Sequence, residues 1–332
     1  MAKAKHKAKD NTLKVILGEP ELFVEFLQGF VPVDMLKDVK PSDIVDLSER
    51  YLPLFQDSRD SDTVKRVNLK GSPPLFVIAI VEHESQVNYR TSFKMLQYVT
   101  LVLSEHEKEL NKETKNATYA KGYKYPPVLP IVFYDGEGEW AAETNFLHKT
   151  ELSSVFEKYI PKFEYELVDL SKYSIDDLAG FGNAMSMVMI FDKIRTPDGI
   201  SALKGLPEGY FEKLKENIPP GLYKMLADAI EVLLTRIKVP REEIEEVTQH
   251  FFERRISKMF TFIENYDVQE TRRIARAEGE AIGEARGEAR GEARAEAKIA
   301  KITKNLLDLN IPVEIIINAT GLTREEIEKL RD

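Results

Sequence analysis

The apolar run at residues 75–81 constrains the fold of this chain more than any other segment. The run is rich in β-branched residues, and the segment 70–74 before it contains one glycine and two prolines, so it predicts a buried central strand that follows a turn. Residues 64–69 predict the preceding strand, which would pair with it in antiparallel fashion.

Three acidic residues flank this strand pair. Asp62 lies just before the first strand, and Glu82 and Glu84 directly follow the second. Because side chains alternate between the faces of a strand, Glu82 and Glu84 are expected on one face and His83 on the other. The start of the first strand lies beside the end of the second in an antiparallel pair, so the three carboxylates are expected close together.

Such a cluster fits a metal centre. Mg²⁺ prefers hard oxygen ligands and keeps coordination sites for water and phosphate oxygens, and Mn²⁺ is the alternative ion. An ion held by Asp62, Glu82 and Glu84 could lower the pKa of a bound water and offset charge on a phosphodiester, which is the minimum apparatus of a nuclease. The chain has 56 acidic residues, so a chance arrangement is the alternative, and spacing alone does not separate the two.

Composition excludes several other kinds of site. The chain of 332 residues has no cysteine, which excludes disulfides, thiolate zinc sites and cysteine catalysis and is typical of a reducing cytosol. Its five histidines show no paired spacing of metal ligands. The longest uncharged run, 178–191, is too short to span a bilayer, and no apolar segment follows the basic N-terminus, so a cytoplasmic protein is expected.

The distribution of charge limits how the chain could contact nucleic acid. A net charge of −9 argues against a protein that coats nucleic acid by bulk electrostatics. Residues 1–9 nevertheless predict a basic flexible arm, in which Lys9, with Lys14 shortly after it, is a candidate contact to the DNA backbone. The alternative is a frayed, solubilising terminus.

The order of the predicted elements indicates an α/β fold with a mixed sheet. In chain order they are two helices within 11–30 separated at Gly18-Glu19-Pro20, strands at 64–69 and 75–81, a helix at 91–110, and strands at 125–134 and 163–170. From about Thr196 only helices are predicted, with apolar stripes at 222–237 and 244–263.

A tandem Gly-Glu-Ala-Arg repeat occupies residues 279–297. A helix would align its glycines, which cost about 1 kcal/mol each relative to alanine, and would stack like charges four residues apart. A second copy that packs acidic rows against basic rows would relieve this repulsion, so a homo-oligomer through this helix is one hypothesis. A charged spacer helix is the alternative.

The last segment, 306–332, predicts two short helices joined at Gly321, the second of which begins with a capping box at Thr323. The second helix has few basic side chains. A packing or assembly module is therefore favoured over a reader of DNA bases.

The strand motifs and several others resemble those of a known nuclease family. Asp62 before one strand, and Glu82-His83-Glu84-Ser85 after the next, resemble the family's Ser-Asp and Leu-Glu-His-Gln-Ser motifs. Further matching segments lie at 9–14, 93–98, 129–136 and 167–170. The chain is thus similar to the Rpn family of recombination-promoting nucleases, YhgA-like transposases of the PD-(D/E)XK superfamily.

The resemblance implies a fold and a domain organisation. The fold would be an α/β, PD-(D/E)XK restriction-endonuclease-like core with a mixed sheet, followed by an all-helical C-terminal region. The segments would be a basic arm (1–9), the nuclease-like core (10–195), a helical subdomain (196–268), the repeat helix (269–300) and a short helical module (301–332).

The resemblance also implies a metal-dependent DNA endonuclease linked to recombination or mobile elements. Asp62 and Glu82 would bind the metal, with Asp10 as a further acid. Glu84 stands where the superfamily has lysine and this family commonly glutamine; it can bind metal or accept a proton but supplies no positive charge. Lys94, on the next helix, is a candidate for that charge and for DNA contact, and an exposed helix lysine is the alternative.

A different class of function stays open at this point. Glu84 and the acidic net charge are also compatible with a DNA-binding or assembly protein that keeps the nuclease fold and has weakened catalysis. The two hypotheses differ in whether Asp62 is required for cleavage of DNA.

Overall fold

A five-stranded mixed sheet organises the first part of the chain. The computed structural model describes residues 15–51, 62–71, 73–82, 87–136, 138–207, 209–253 and 267–330. The strands are β1 (Ile44–Asp46), β2 (Thr63–Val67), β3 (Leu75–Glu82), β4 (Val128–Tyr134) and β5 (Glu166–Asp169). They lie side by side in chain order, with β1, β2 and β3 antiparallel and β3, β4 and β5 parallel. The predicted α/β class and mixed sheet are confirmed, and β1 is a strand that the sequence did not predict.

The register of the central strands places two of the predicted acids. Thr63 pairs with Ala79, so Asp62, one residue before β2, lies at the same end of the pair as Glu82, the last residue of β3. Glu82 also pairs with Tyr134, the last residue of β4. The expected antiparallel pairing of the two strands is therefore confirmed.

The chain divides into two compact units, Met1–Val268 and Gln269–Asp332. Besides the helical residues 15–18, the helices described in the first unit are α1 (Pro20–Phe30), α2 (Ser48–Tyr51), α3 (Thr91–Glu113), α4 (Ser153–Phe156), α5 (Ile175–Phe181), α6 (Ala184–Lys193), α7 (Tyr210–Asn217), α8 (Tyr223–Arg236) and α9 (Arg241–Phe252). Short 3-10 segments occur at Asp34–Leu36, Pro41–Asp43, Ala117–Tyr119, Phe146–Lys149, Glu157–Tyr159, Leu170–Lys172, Pro197–Gly205 and Pro220–Leu222. Within the predicted stripe at 244–263, residues 254–263 lie outside the described residues.

Both faces of the sheet are covered by apolar side chains. On one face the sheet joins α1, α6 and the helices α7, α8 and α9 in one hydrophobic cluster, in which Phe26 of α1 meets Phe133 of β4 edge to face with 6.1 Å between ring centroids. On the other face Val64 and Ile78 pack with Met95, Tyr98 and Val102 of α3. A strand covered on both sides has little need of polar residues, which explains the apolar run of β3.

Local sequence signals fix the ends of several helices. Residues 15–18 are helical and α1 begins at Pro20, where the missing N–H is not needed, so the predicted break is confirmed. In α5, Ser174 accepts a hydrogen bond from the N–H of Asp177, whose carboxylate accepts from the N–H of Ser174 in return.

Beyond residue 267 the described residues contain three helices: α10 (Val268–Asp308), α11 (Val313–Thr320) and α12 (Arg324–Lys329). The repeat lies in α10, where no described residue packs within 4 Å of the Cβ position at Gly283, Gly287 or Gly291. The predicted turn and capping box are confirmed, because Gly321 has φ +73° after α11 and Thr323 caps α12. Within the described parts of the chain, no helix combines the length and apolarity that crossing a membrane requires.

Candidate active site

Asp62 is a fully buried carboxylate at the start of β2, with 0% of its surface exposed. Its Oδ2 accepts hydrogen bonds from Lys94 Nζ at 3.2 Å and from the Tyr98 hydroxyl at 2.9 Å. The two donors are four residues apart, so they lie on the same face of α3. The helix therefore supplies both the charge and the hydroxyl that hold this carboxylate.

Lys94 is 6% exposed, and its Nζ also lies 5.4 Å from the centre of the Tyr98 ring. The alternative of an exposed helix lysine is wrong, because the first turns of α3 pack against the sheet face that carries Asp62. Removing two charges from water is costly unless both are paired and hydrogen-bonded. Buried, paired charges beside a cleft are frequently found at functional sites, which makes this pair the centre of the candidate site.

The other predicted site residues are placed only in part. Glu82 closes β3 at the same end of the strand pair as Asp62. Asp10, Glu84, Lys9 and Lys14 lie outside the described residues. Among the residues that are described, no group of three or more acidic or histidine side chains is arranged to hold a metal ion. The predicted metal cluster therefore stays a prediction.

An open cleft of about 650 Å³ borders Asp62. It is lined by Val15, Gly18, Glu19, Asp46, Leu47, Ser48, Glu49, Asp62 and Thr63. The sequence did not single out Glu19, Asp46 or Glu49 as site residues, because Glu19 and the stretch 46–49 are far apart in the chain and only the fold brings them together. A cleft lined by several carboxylates attracts cations.

A second ion pair, between a buried lysine and a half-exposed aspartate, lies beside this cleft. Lys65 is fully buried, donates hydrogen bonds to the Asp46 carboxylate and to the Gly18 carbonyl, and has its Nζ 5.5 Å from the centre of the Phe23 ring. Burial lowers the pKa of Lys65. Burial acts to raise the pKa of Asp46, but hydrogen bonds from Lys65 and Ser48 outweigh it, so the pKa lies below its ordinary value. The pair links β1 and β2 to the helical segment at 15–18.

Hydroxyl groups fix the backbone next to Asp62. The Ser48 and Thr63 hydroxyl oxygens are 2.8 Å apart, and the Val64 N–H donates to Ser48 Oγ at 3.0 Å. The Ser48 N–H in turn donates to Asp46 Oδ1 at 2.8 Å. These bonds tie the start of α2 to the start of β2 and so hold the position from which Asp62 projects.

Known proteins share the part of the chain that builds this site. The sequence profile of the family described as "Putative transposase, YhgA-like" matches residues 7–217, which contain all five strands, the cleft and the Asp62–Lys94 pair. The recombination-promoting nuclease RpnC of Escherichia coli (strain K12) is 23% identical over 128 residues, and the match covers 39% of this chain and 39% of that protein. No solved structure gives a significant match. Since the family profile covers well over half of the sequence, this chain belongs to the YhgA-like transposase family.

Proposed function

We propose that this protein is a metal-dependent DNA endonuclease that hydrolyses phosphodiester bonds in recombination or in the biology of mobile elements. The observation that carries the proposal is the buried Asp62–Lys94 pair. It lies where β2 begins and β3 ends, and Glu82 is the last residue of β3. Family membership and the name of the Escherichia coli relative support a nuclease, and the mixed sheet agrees with a PD-(D/E)XK core.

The residue types of the candidate site are those that a hard divalent cation prefers. Asp62 offers carboxylate oxygens next to an acidic cleft, and Glu82, Glu84 and Asp10 are the residues that would complete the ligands. When bound, Mg²⁺ or Mn²⁺ would lower the pKa of a water ligand and offset negative charge on the phosphate. In this proposal the carboxylates would bind the metal, and Lys94 and Tyr98 would supply charge and orientation.

Lys94 supplies the positive charge that Glu84 cannot. Its ammonium group lies 3.2 Å from Asp62 Oδ2, so a phosphate oxygen that approached Asp62 would meet it at short range. In a site with little water such a charge stabilises the extra negative charge of the transition state more strongly than in solution. The Tyr98 hydroxyl orients Asp62 from the same helix.

A plasmid-cleavage assay tests this function. We expect the full chain to nick supercoiled DNA with Mg²⁺ or Mn²⁺ and to lose this activity in EDTA and in Asp62→Asn. The matched control is Asp34→Asn, which changes an exposed aspartate of a surface ion pair and should cleave normally. Equal activity of wild type and Asp62→Asn, or no cleavage by wild type with either metal, would contradict the proposal.

The second candidate is a protein that keeps the fold and binds DNA without cleaving it. The observation that favours it is Glu84, at the position where positive charge or an amide is usual. In that case wild type and Asp62→Asn would bind DNA equally and leave the plasmid intact.

For the second unit we propose self-association through α10, since its repeat would stack like charges unless a second copy offsets them.

A further inference from the structure

Exposed aromatic side chains lie at and just before the start of α3, the helix that carries Lys94. Tyr89 is 59% exposed and Phe93 is 40% exposed. Phe93 precedes Lys94 in α3, and the two side chains have opposite environments, since Lys94 is buried against Asp62. The aromatic surface therefore begins one position before Lys94 in the sequence.

A cation lies over each of these rings. Lys149 Nζ is 5.9 Å from the centre of the Tyr89 ring, and Arg90 Cζ is 5.8 Å from the centre of the Phe93 ring. Phe93 stacks on Phe146, with 6.3 Å between ring centroids and 28° between ring planes. This stack packs part of Phe93 against Phe146 and leaves the rest of the residue exposed.

We propose that Tyr89, Arg90, Phe93 and Lys149, together the aromatic platform, bind unpaired bases of the DNA strand that enters the candidate active site. Flat aromatic rings stack on exposed bases, and neighbouring cations contact the phosphates between them. In a duplex the base faces are already stacked, so this chemistry selects single-stranded segments. This proposal rests on the endonuclease function, which supplies DNA as the ligand. The DNA substrate then contains an unpaired stretch next to the cut.

Binding without metal tests the aromatic platform independently of cleavage. The full chain in EDTA is titrated with a fluorescent oligothymidine, a duplex, an abasic strand and an oligouridine of equal length. We expect oligothymidine to bind most tightly, and Tyr89→Ala and Phe93→Ala to weaken that binding on the order of tenfold each while leaving the abasic strand unaffected.

Four further variants test the roles of the rings and the cations separately. Phe93→Leu keeps most of the side-chain volume against Phe146 but removes the flat ring, and should weaken binding as Phe93→Ala does. Tyr119→Ala is the matched control, because Tyr119 is 80% exposed but lies beyond the far end of α3. In Arg90→Gln and Lys149→Gln the dependence of log affinity on log salt should fall by about 0.7 each.

Several results would overturn the inference. One is that the protein binds duplex or abasic DNA as tightly as oligothymidine, and another is that it binds oligouridine more tightly than oligothymidine. A third is an unchanged affinity for oligothymidine in both Tyr89→Ala and Phe93→Ala.

The same proteins separate this inference from the endonuclease proposal. If the aromatic platform binds unpaired bases but the protein is not a nuclease, the protein binds unpaired DNA selectively and leaves it uncut with both metals. If the nuclease is correct and the platform is not, DNA is cut by an Asp62-dependent activity with no preference for flaps or bubbles over uniform duplex.

Discussion

Lys94 Nζ lies 3.2 Å from Asp62 Oδ2 where α3 meets the sheet, and both side chains are almost wholly removed from water. Because the desolvation of two charges is offset only while both are present, removing one partner is more harmful than removing both. This asymmetry allows the stabilising contribution of the pair to be measured separately from its contribution to cleavage.

We expect Lys94→Met to lower the free energy of unfolding by about 3–5 kcal/mol, because the Asp62 charge stays buried without its partner. Asp62→Leu combined with Lys94→Met should recover part of that loss, yet both variants should fail to cleave DNA. Urea unfolding and the plasmid assay measure the two effects. Lys112→Met, near the exposed end of the same helix, should change stability by less than about 0.5 kcal/mol. Cleavage by Lys94→Met at the wild-type rate would exclude the catalytic role.

Glu25 gives the fold a pH dependence near neutrality. Its Oε2 accepts a hydrogen bond from the Met185 N–H at 2.8 Å and so joins α1 to α6. Burial raises the pKa of Glu25 to about 7, although hydrogen bonds from Met185 and Ala184 act to lower it. The folded state therefore favours the protonated acid, and the resulting stability is present below the ordinary pKa of 4.5 and is lost as pH rises toward 7.

Glu25→Gln should remove this pH dependence, because the amide keeps an acceptor for the Met185 N–H and carries no charge. We expect wild type to lose up to about 3 kcal/mol of stability between pH 5 and pH 8 through this group, and the variant to be the more stable protein at pH 8. Urea unfolding at both pH values measures the difference. Glu242→Gln, at an exposed position of α9, serves as the control. The prediction would be refuted if the free energy of unfolding depended on pH in the same way in wild type and in Glu25→Gln.

Asp46 should stabilise the cleft through Lys65. Asp46→Ala removes the carboxylate that pairs with the fully buried ammonium of Lys65, and we expect it to cost about 2–4 kcal/mol. Asp46→Asn keeps an acceptor and should cost less. The pKa of Asp46 is below its ordinary value of 3.8, so its contribution is present above pH 3.8 and is lost as pH falls below it. Unfolding of wild type and Asp46→Asn by equal concentrations of urea would show that the charge is unimportant.

The sequence predicted the parts of the fold that depend on local patterns. The apolar run of β3, the break before Pro20 and the capping box at Thr323 follow from residues that are close together in the chain. β1 was missed because three residues are too few to show a pattern, and its stability comes from pairing with β2.

The candidate site shows more clearly that contacts between distant segments cannot be predicted from local patterns. Asp62 was found from its position before a strand, whereas the burial of Lys94 depends on how α3 packs on the sheet. The spacing of Lys94 and Tyr98 could have indicated this burial. A lysine on the apolar face of a helix needs a partner for its charge, and an acidic residue of the sheet is the natural one. The pairing of Asp46 with Lys65 had no comparable signal, because it joins two strands through a register that the fold sets.

Self-association through the repeat of α10 should be sensitive to the size of the side chain at its glycines. Gly287→Leu improves helix propensity by roughly 1 kcal/mol, so a loss of association could not be attributed to an unfolded helix. We expect the full chain to have a mass above that of its 38.0 kDa monomer in light scattering, and Gly287→Leu and a chain ending at Tyr266 to be monomeric. Lys301→Leu, at an exposed position of the same helix outside the repeat, is the control and should keep the wild-type mass. A monomeric full chain, or a Gly287→Leu protein that associates as wild type does, would remove the repeat as an assembly surface.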